Sequence, residues 1–282
     1  MLTIVELNSW LDFEEIIKKR LLFETENLTS GPFIYRGHPD ANWRLETTLE
    51  RLAGENLSVR NYYRIIETIQ PKIETFTNQK WDLPSYEEFY NTFKRPSGIN
   101  TPAYVYMTYL RHFGFPSPLL DWTYSPFIAA YFAFRDVSSR ATSIAIYKFL
   151  ATHDLLRMSV SEDDDDVQIF PIAKSPRNNK RHELQQGIYT VCLREANNEI
   201  YYVSHEASRM VKEDRDPYVT KYILPASERA RALHSLHAYN INSYSLFGTE
   251  ESLLESLFLN KYKWATLTKK IMGDQVGIND IW

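Results

Sequence analysis

The sequence has little cysteine and glycine, with one cysteine and nine glycines among 282 residues. A single thiol excludes an internal disulfide and a metal site built from several cysteines, and Cys192 in the run GIYTVC is typical of a buried structural thiol. No apolar run approaches the ~18 residues that indicate a membrane helix. The first ten residues lack the charged-then-apolar pattern of an export signal. We therefore expect a cytoplasmic protein without a membrane segment.

A strong charge of either sign is also missing, since the formal net charge is −4. This balance gives no global attraction to nucleic acid or to an anionic membrane. The 44% hydrophobic content, with 14% aromatic residues, is enough for a sizeable core. Because no linker interrupts the chain, we favour one α+β domain with a small central mixed or antiparallel sheet flanked by helices.

Standard catalytic motifs are absent, including the phosphate loop, the dinucleotide fingerprint and His-Glu-x-x-His. His234 and His237 share a helix face and could bind a metal, but exposed helical histidines are the simpler interpretation because no matching carboxylate pattern accompanies them. The polar stretch 151–182 predicts a surface excursion. Its acidic run at 162–166 lacks the spacing of a calcium loop, and its basic block at 174–182 could contact phosphate.

Local patterns predict the elements and their grouping. Helices are expected over 9–23, 59–80 with an interruption at Pro71, 85–94, 227–239 and 249–259. Strands are expected over 33–36, 143–149, 187–192, 200–203 and 219–224. The corresponding division is a helical lead-in at 1–30, a domain at 31–260 with a helical insertion at about 59–95, and a tail at 261–282.

The central stretch 101–135 predicts two apolar helices joined by a loop. Thr101 and Ser125 can cap them, and each is followed by a proline at the first helical position. The second helix is too apolar to lie on a surface. The expected loop carries five candidate site residues: Arg111, His112, Asp121, Trp122 and Thr123.

Polar groups between two buried helices need partners, so they either brace the loop or face a ligand. His112 and Asp121 are candidates for an acid–base or orienting pair. Asp121 can equally be a structural carboxylate that pairs with Arg36 or Arg111, and Trp122 can equally be a core residue.

Two further patches carry chemistry. An arginine that closes an apolar strand, as in Tyr35-Arg36-Gly37, suits phosphate or carboxylate because its planar fork donates two parallel bonds. A structural Arg–Asp pair is the alternative. In the run RHELQQG at 181–187, Gln185 and Gln186 can hydrogen-bond an amide or a ribose, or can be ordinary polar residues at a strand entry.

These patches, in this order, resemble the FRG domain, a bacterial and phage-borne family named for an aromatic-Arg-Gly motif. The matching segments are Tyr35-Arg36-Gly37, Trp43-Arg44-Leu45, His112-Phe113-Gly114, Leu119-Leu120-Asp121-Trp122-Thr123, Gln185-Gln186-Gly187 and Tyr244-Ser245-Leu246-Phe247. The chain departs from the family at Arg111, where glutamine is usual, and at Pro116-Ser117-Pro118, where Pro-Thr-Arg is usual. Gly248-Thr249 likewise replaces the usual Pro-Asp.

The resemblance implies a layout similar to ADP-ribosyltransferase-like folds, with NAD or a related nucleotide as the substrate. Arg36, flanked by Tyr35 and Gly37, would hold the pyrophosphate or ribose. Asp121 and Thr123 would lie on the nicotinamide side. Gln186, or Glu183 beside it, would take the place of the usual catalytic glutamate.

The family also occurs in bacterial systems that act against phage, which implies a toxin-like effector with a protein or nucleic-acid target. Two other functions remain open on the sequence. One is a non-catalytic module that senses a nucleotide, and the other is a metal-dependent nucleic-acid-processing domain that uses Asp121.

Overall fold

A computed structural model describes most of the chain. The described residues are 2–27, 33–54, 57–94, 102–138, 140–151, 166–172, 180–208 and 219–258, with the side chains of 23–27 excepted. The expected cap Thr101, the acidic run at 162–165, most of the basic block and the tail from 261 lie outside these residues. Within them, no helix is both long enough and apolar enough to cross a bilayer.

The strands, in chain order, are β1 (Thr3–Glu6), β2 (Phe33–His38), β3 (Leu57–Ser58), β4 (Leu120–Thr123), β5 (Ser143–Leu150), β6 (Gln168–Ile172), β7 (Gly187–Ala196), β8 (Glu199–Tyr202) and β9 (Val219–Pro225). The helices are α1 (Trp10–Asn27), α2 (Thr48–Ala53), α3 (Val59–Thr77), α4 (Tyr86–Phe93), α5 (Pro102–His112), α6 (Pro126–Arg135), α7 (Lys180–Leu184), α8 (Arg229–Ala238), α9 (Ser243–Phe247) and α10 (Glu250–Phe258).

All nine strands join one open mixed sheet in the order β1-β9-β5-β2-β4-β7-β8-β3, with β6 paired to β7. The pair β1–β9 is parallel and the other pairs are antiparallel. The predicted α+β class with a mixed sheet between helices is therefore confirmed. The sheet is larger than the small one expected, because β1, β3, β4 and β6 were not predicted.

The three strands that carry the candidate motifs are neighbours in this sheet. β4 pairs with β7 through four residue pairs, whereas β2 and β4 meet at the single pair Tyr35–Thr123. Beyond that pair the ladder between β2 and β4 does not continue. Next to this pair, the backbone groups of β2 and β4 do not bond to each other, so polar side chains can hydrogen-bond to them.

Helix α6 packs directly on β2. Ser125 caps it by accepting from the Ile128 amide, Pro126 begins it, and most of its residues are buried, as predicted. Gly37 makes the close approach possible, because a Cβ at this position would lie 2.0 Å from the Ala129 carbonyl oxygen. The glycine of the aromatic-Arg-Gly motif is thus required by packing of a helix against a strand.

Three local predictions were wrong. The expected loop between α5 and α6 contains β4, because Asp121 and Thr123 pair in register with β7. Part of the expected surface excursion at 151–182 is the buried strand β6. The expected interruption at Pro71 does not occur, and α3 continues through it. Pro71 has no N–H to donate to the carbonyl of Glu67, but both residues are exposed, so water can hydrogen-bond that carbonyl.

Candidate functional site

A cavity of about 430 Å³ opens where β2, β4 and β7 lie side by side. The C-terminal end of α5 closes one side, and α6 and α7 close the others. Its described lining mixes arginines, one carboxylate on β4 and several aromatic rings. The volume lies within the usual range for small-molecule sites.

Strand β2 brings Tyr35, Arg36 and Gly37 to this cavity. Tyr35 is almost fully buried against α6, and its hydroxyl accepts a hydrogen bond from Arg20 of α1. Because successive strand residues point to opposite faces, Arg36 leaves β2 on the same face as His38.

The guanidinium of Arg36 is held by three contacts. Its Nη1 donates to the backbone carbonyl of Asp121 at 2.7 Å and lies 3.7 Å from the Asp121 carboxylate oxygen Oδ2. Its Nε donates to Nε2 of His38 at 2.9 Å. Burial lowers the pKa of Arg36 to about 10, which leaves the guanidinium charged at neutral pH. Burial and the neighbouring Arg36 lower the pKa of His38 to about 2, so that His38 stays a neutral acceptor.

A second guanidinium, from Arg111, binds the same carboxylate. Its Nη2 and Nε lie 2.5 and 3.2 Å from Oδ2 of Asp121, and its Nη1 donates to the hydroxyl of Thr48 at 2.9 Å. Burial alone would raise the pKa of Asp121, but the charges of Arg111 and Arg36 outweigh it and hold the pKa below its usual value. Asp121 is therefore an ionised carboxylate between two arginines.

Asp121 nevertheless remains open to a ligand. Its side chain is 42% exposed, whereas those of Arg36 and Arg111 are 18% and 17% exposed. Among the residues that the structure describes, hydrogen bonds reach Oδ2 and leave Oδ1 without a protein donor. The carboxylate is thus anchored through one oxygen and presents the other.

His112 ends α5 beside this carboxylate. Its Nε2 lies 3.2 Å from the hydroxyl of Tyr189, the residue that pairs with Asp121 across β4 and β7. Burial lowers the pKa of His112 despite the opposing effect of Asp121. The imidazole is therefore neutral at physiological pH.

Trp122 and Thr123 hold β4 in place. Trp122 is 5% exposed and donates from Nε1 to the Thr190 hydroxyl at 2.8 Å, so it is mainly a core residue that touches the cavity. The hydroxyl of Thr123 donates to the Gln185 carbonyl at 2.7 Å. These bonds join β4 to β7 and to the turn that precedes it.

Helix α7 separates the candidate residues of the third patch. Gln185 lines the cavity, and its amide nitrogen is 3.3 Å from the Leu246 carbonyl. Glu183 and Gln186 are exposed and are not among the described residues that line the cavity. Gln186 has a left-handed backbone with φ of 48°, which turns the chain from α7 into β7.

The sequence was compared with protein-family models, curated proteins and solved structures. Residues 31–142 match the model of the FRG domain. The chain contains an FRG domain. No curated protein and no solved structure matches the chain. The matched residues include β2, α5, β4 and α6, which bring Arg36, Arg111, His112 and Asp121 to the cavity.

The departures of this FRG domain from the usual pattern have a structural consequence. Arg111 stands where the family usually has glutamine, and it supplies the second guanidinium to Asp121. The segment Pro116-Ser117-Pro118, which lacks the usual arginine, packs on α2. There the backbone amide of Ser117 donates to the Thr48 hydroxyl at 3.0 Å. Thr48 thus joins this segment to Arg111.

Several residues of the cavity lining were not among the sequence-predicted candidates, including Arg181, His182 and Tyr189. The signal was present in the i, i+4 spacing of Arg181 and Gln185, which places both on one helical face. Glu183 falls on the other face for the same reason. The spacing could not be interpreted from the sequence, because the short helix α7 at Lys180–Leu184 was not predicted.

No group of three or more His, Cys, Asp or Glu side chains able to hold a metal exists in the part of the chain that the structure describes. The pair His234 and His237 on α8 therefore lacks a described third ligand. Cys192 is buried, and burial raises the pKa of its thiol, as expected of an inert structural cysteine.

Proposed function

We propose that this FRG domain binds a nucleotide in the cavity and uses NAD as an ADP-ribosyltransferase-like enzyme. The observation that carries the proposal is the pair of largely buried guanidiniums, Arg36 and Arg111, around a carboxylate that is 42% exposed at a cavity of about 430 Å³. Planar arginine forks are suited to pyrophosphate oxygens, and aromatic side walls are suited to a base or nicotinamide.

The charge of the cavity supports an anionic ligand. Three arginines line it, namely Arg36, Arg111 and Arg181, against the described carboxylates Asp121 and Asp136. Asp136 is 70% exposed and lies 3.8 Å from Arg135, which offsets its charge. The remaining balance is positive, as a pyrophosphate would require.

The chemistry assigns the central role to Asp121. In transfer of ADP-ribose, the bond between ribose and nicotinamide breaks, its electron pair leaves with nicotinamide, and an oxocarbenium-like centre forms. A fixed carboxylate stabilises that positive charge, whereas an amide can only orient the sugar. Glu183 and Gln186 do not line the cavity, and Asp136 is mostly exposed beside Arg135, so Asp121 is the described carboxylate best placed for this role.

The second candidate function is a non-catalytic nucleotide-binding module. One observation favours it: both arginines already neutralise Asp121, and this lowers the stabilisation it can give to a developing cation. No observation favours the metal-dependent alternative, because the described residues contain no cluster of three potential ligands. An effector role against phage is the biological setting that we infer from the FRG family alone.

Incubation of the purified protein with NAD tests the proposal. Release of nicotinamide, measured by liquid chromatography, supports the enzyme; an increase in melting temperature without release supports the binding module. The variant Arg36→Gln should lose either signal. The control Arg60→Gln removes a surface arginine that lies 3.7 Å from Glu199 and outside the cavity, and it should behave as wild type. If the wild-type protein neither releases nicotinamide nor shows a higher melting temperature with NAD, both functions are refuted.

A further inference from the structure

The hydroxyl of Tyr189 meets His112 inside the cavity at 3.2 Å from Nε2. The two residues come from different elements, since Tyr189 lies on β7 and His112 ends α5. Tyr189 is not one of the candidate residues of the sequence motifs. The charged groups around this contact are Asp121 on β4, Arg111 on α5 and Arg181 on α7.

We infer the direction of this hydrogen bond from the protonation states of Tyr189 and His112. Burial, followed by the charge of Asp121, raises the pKa of Tyr189, so the phenol keeps its proton. His112 is neutral and has one N–H. Among the described residues, Nε2 of His112 is the hydrogen-bond partner of the phenol, so donation of the O–H to Nε2 satisfies both groups.

The ring of Tyr189 is held in place from behind. His182 stacks on it, with ring centroids 5.2 Å apart and planes inclined by 24°. His182 can lie there because residue 187 is glycine: a Cβ at Gly187 would be 2.8 Å from the His182 ring. Gly187 and His182 thus hold the ring of Tyr189, and with it the hydroxyl group, in one position.

We propose that Tyr189 is a positioning residue that fixes His112 as its Nδ1–H tautomer, so that the imidazole offers an N–H donor to an oxygen of the bound nucleotide. Nδ1 of His112 has no hydrogen bond to any residue in the described ranges, and it is not one of the fully buried polar atoms, so a ligand can reach it. His112 therefore orients the ligand and does not act as a base through this nitrogen. The identity of the ligand rests on the proposed function, but the tautomer does not.

The tautomer can be measured directly on the protein without ligand. Nitrogen chemical shifts of the His112 ring, from long-range proton–nitrogen NMR, should report Nδ1–H in the wild type and a mixture of tautomers in Tyr189→Phe. This variant keeps the ring and its stacking, so the fold is retained. The control Tyr63→Phe removes a buried hydroxyl that donates to the Pro84 carbonyl outside the cavity, and it should leave His112 unchanged. Nε2–H in the wild type, or the same spectrum in Tyr189→Phe, overturns the proposal.

The role toward the ligand has a separate readout. Titration calorimetry with NAD should give an affinity about tenfold weaker for Tyr189→Phe, as for loss of one well-oriented hydrogen bond, and an unchanged affinity for Tyr63→Phe. An unchanged affinity for Tyr189→Phe overturns the role in ligand orientation. If the wild type binds no NAD, the proposed function fails, while the NMR measurement still decides whether Tyr189 positions His112.

Discussion

The guanidinium of Arg36 donates to the backbone carbonyl of Asp121 at 2.7 Å, across 85 positions of sequence. The bond lies next to the single residue pair, Tyr35–Thr123, that joins β2 to β4. Arg36 therefore holds two motif strands together and also provides charge to the cavity. Variants that keep the charge but change the geometry can separate these two contributions.

Arg36→Lys is such a variant. An ammonium group keeps the positive charge but cannot donate to both His38 and the Asp121 carbonyl in the fixed geometry of the fork. We expect the free energy of unfolding to fall by about 1–3 kcal/mol, because the part-buried carbonyl of Asp121 loses a hydrogen bond from a charged donor, and NAD binding to weaken despite the retained charge. Urea denaturation and calorimetry measure the two effects. Wild-type values for both would show that the fork geometry is unimportant.

Asp121→Asn keeps the shape of the side chain and removes its charge. Since Arg36 and Arg111 then lack their counter-charge, inorganic pyrophosphate should bind about tenfold more tightly, while release of nicotinamide from NAD should fall to background. The matched control is Asp136→Asn, which removes a mostly exposed carboxylate at the same cavity but away from the two arginines. Weaker pyrophosphate binding in Asp121→Asn would contradict the assignment of these arginines as the anion site.

Gly37→Ala should be severely destabilising. The new methyl group would meet the backbone of α6, 2.0 Å from the Ala129 oxygen and 2.6 Å from the Ala133 nitrogen, so relief requires moving a helix. We expect a loss of about 3 kcal/mol or more in the free energy of unfolding. Gly248→Ala is the comparison: Gly248 has a left-handed backbone with φ of 63°, and its new methyl group would make an ordinary contact with the Leu184 side chain at 3.4 Å, so backbone strain of about 1–2 kcal/mol applies. Equal losses in urea denaturation would argue against close packing of α6 on β2.

Acid should destabilise the protein through His205. Nε2 of this fully buried histidine lies 2.8 Å from the Thr190 hydroxyl, and burial lowers the pKa of His205 to about 3. Between pH 6.5, where the unfolded histidine titrates, and about 3, the unfolded state binds more protons, so stability falls as the pH falls. The slope from this group is at most about 1.4 kcal/mol per pH unit.

The variant His205→Gln provides the check, since it retains an acceptor for Thr190 but does not titrate. Unfolding by urea at pH 7.0, 6.0 and 5.0 should show a smaller loss of stability in His205→Gln than in the wild type. His38, whose pKa is about 2, contributes a similar slope to both proteins. Identical slopes would mean that His205 is protonated in the folded state.

Much of the local structure was predictable because its causes lie within a few residues of one another. Ser85 and Glu88 form a capping box at the start of α4, where a helix over 85–94 was expected, and Ser125 with Pro126 begins α6 as expected. The pattern of apolar residues also identified the strands β5, β7, β8 and β9. The short strands β1 and β4 were not predicted, because they pair with strands far away in the sequence, β9 and β7, and such pairing leaves little local pattern.

The amino-acid sequence by itself determined which residues carry chemistry: the arginine, carboxylate and histidine of the motifs are recognisable by type and order alone. The tertiary structure decided which of them meet. One helical turn at α7 places Gln185 in the cavity and leaves Glu183 outside it, and sheet register sets Tyr189 opposite Asp121. Residue type can be read at each position of the chain. A shared cavity depends on pairing between strands that lie 60 or more positions apart, and a local sequence pattern does not contain that information.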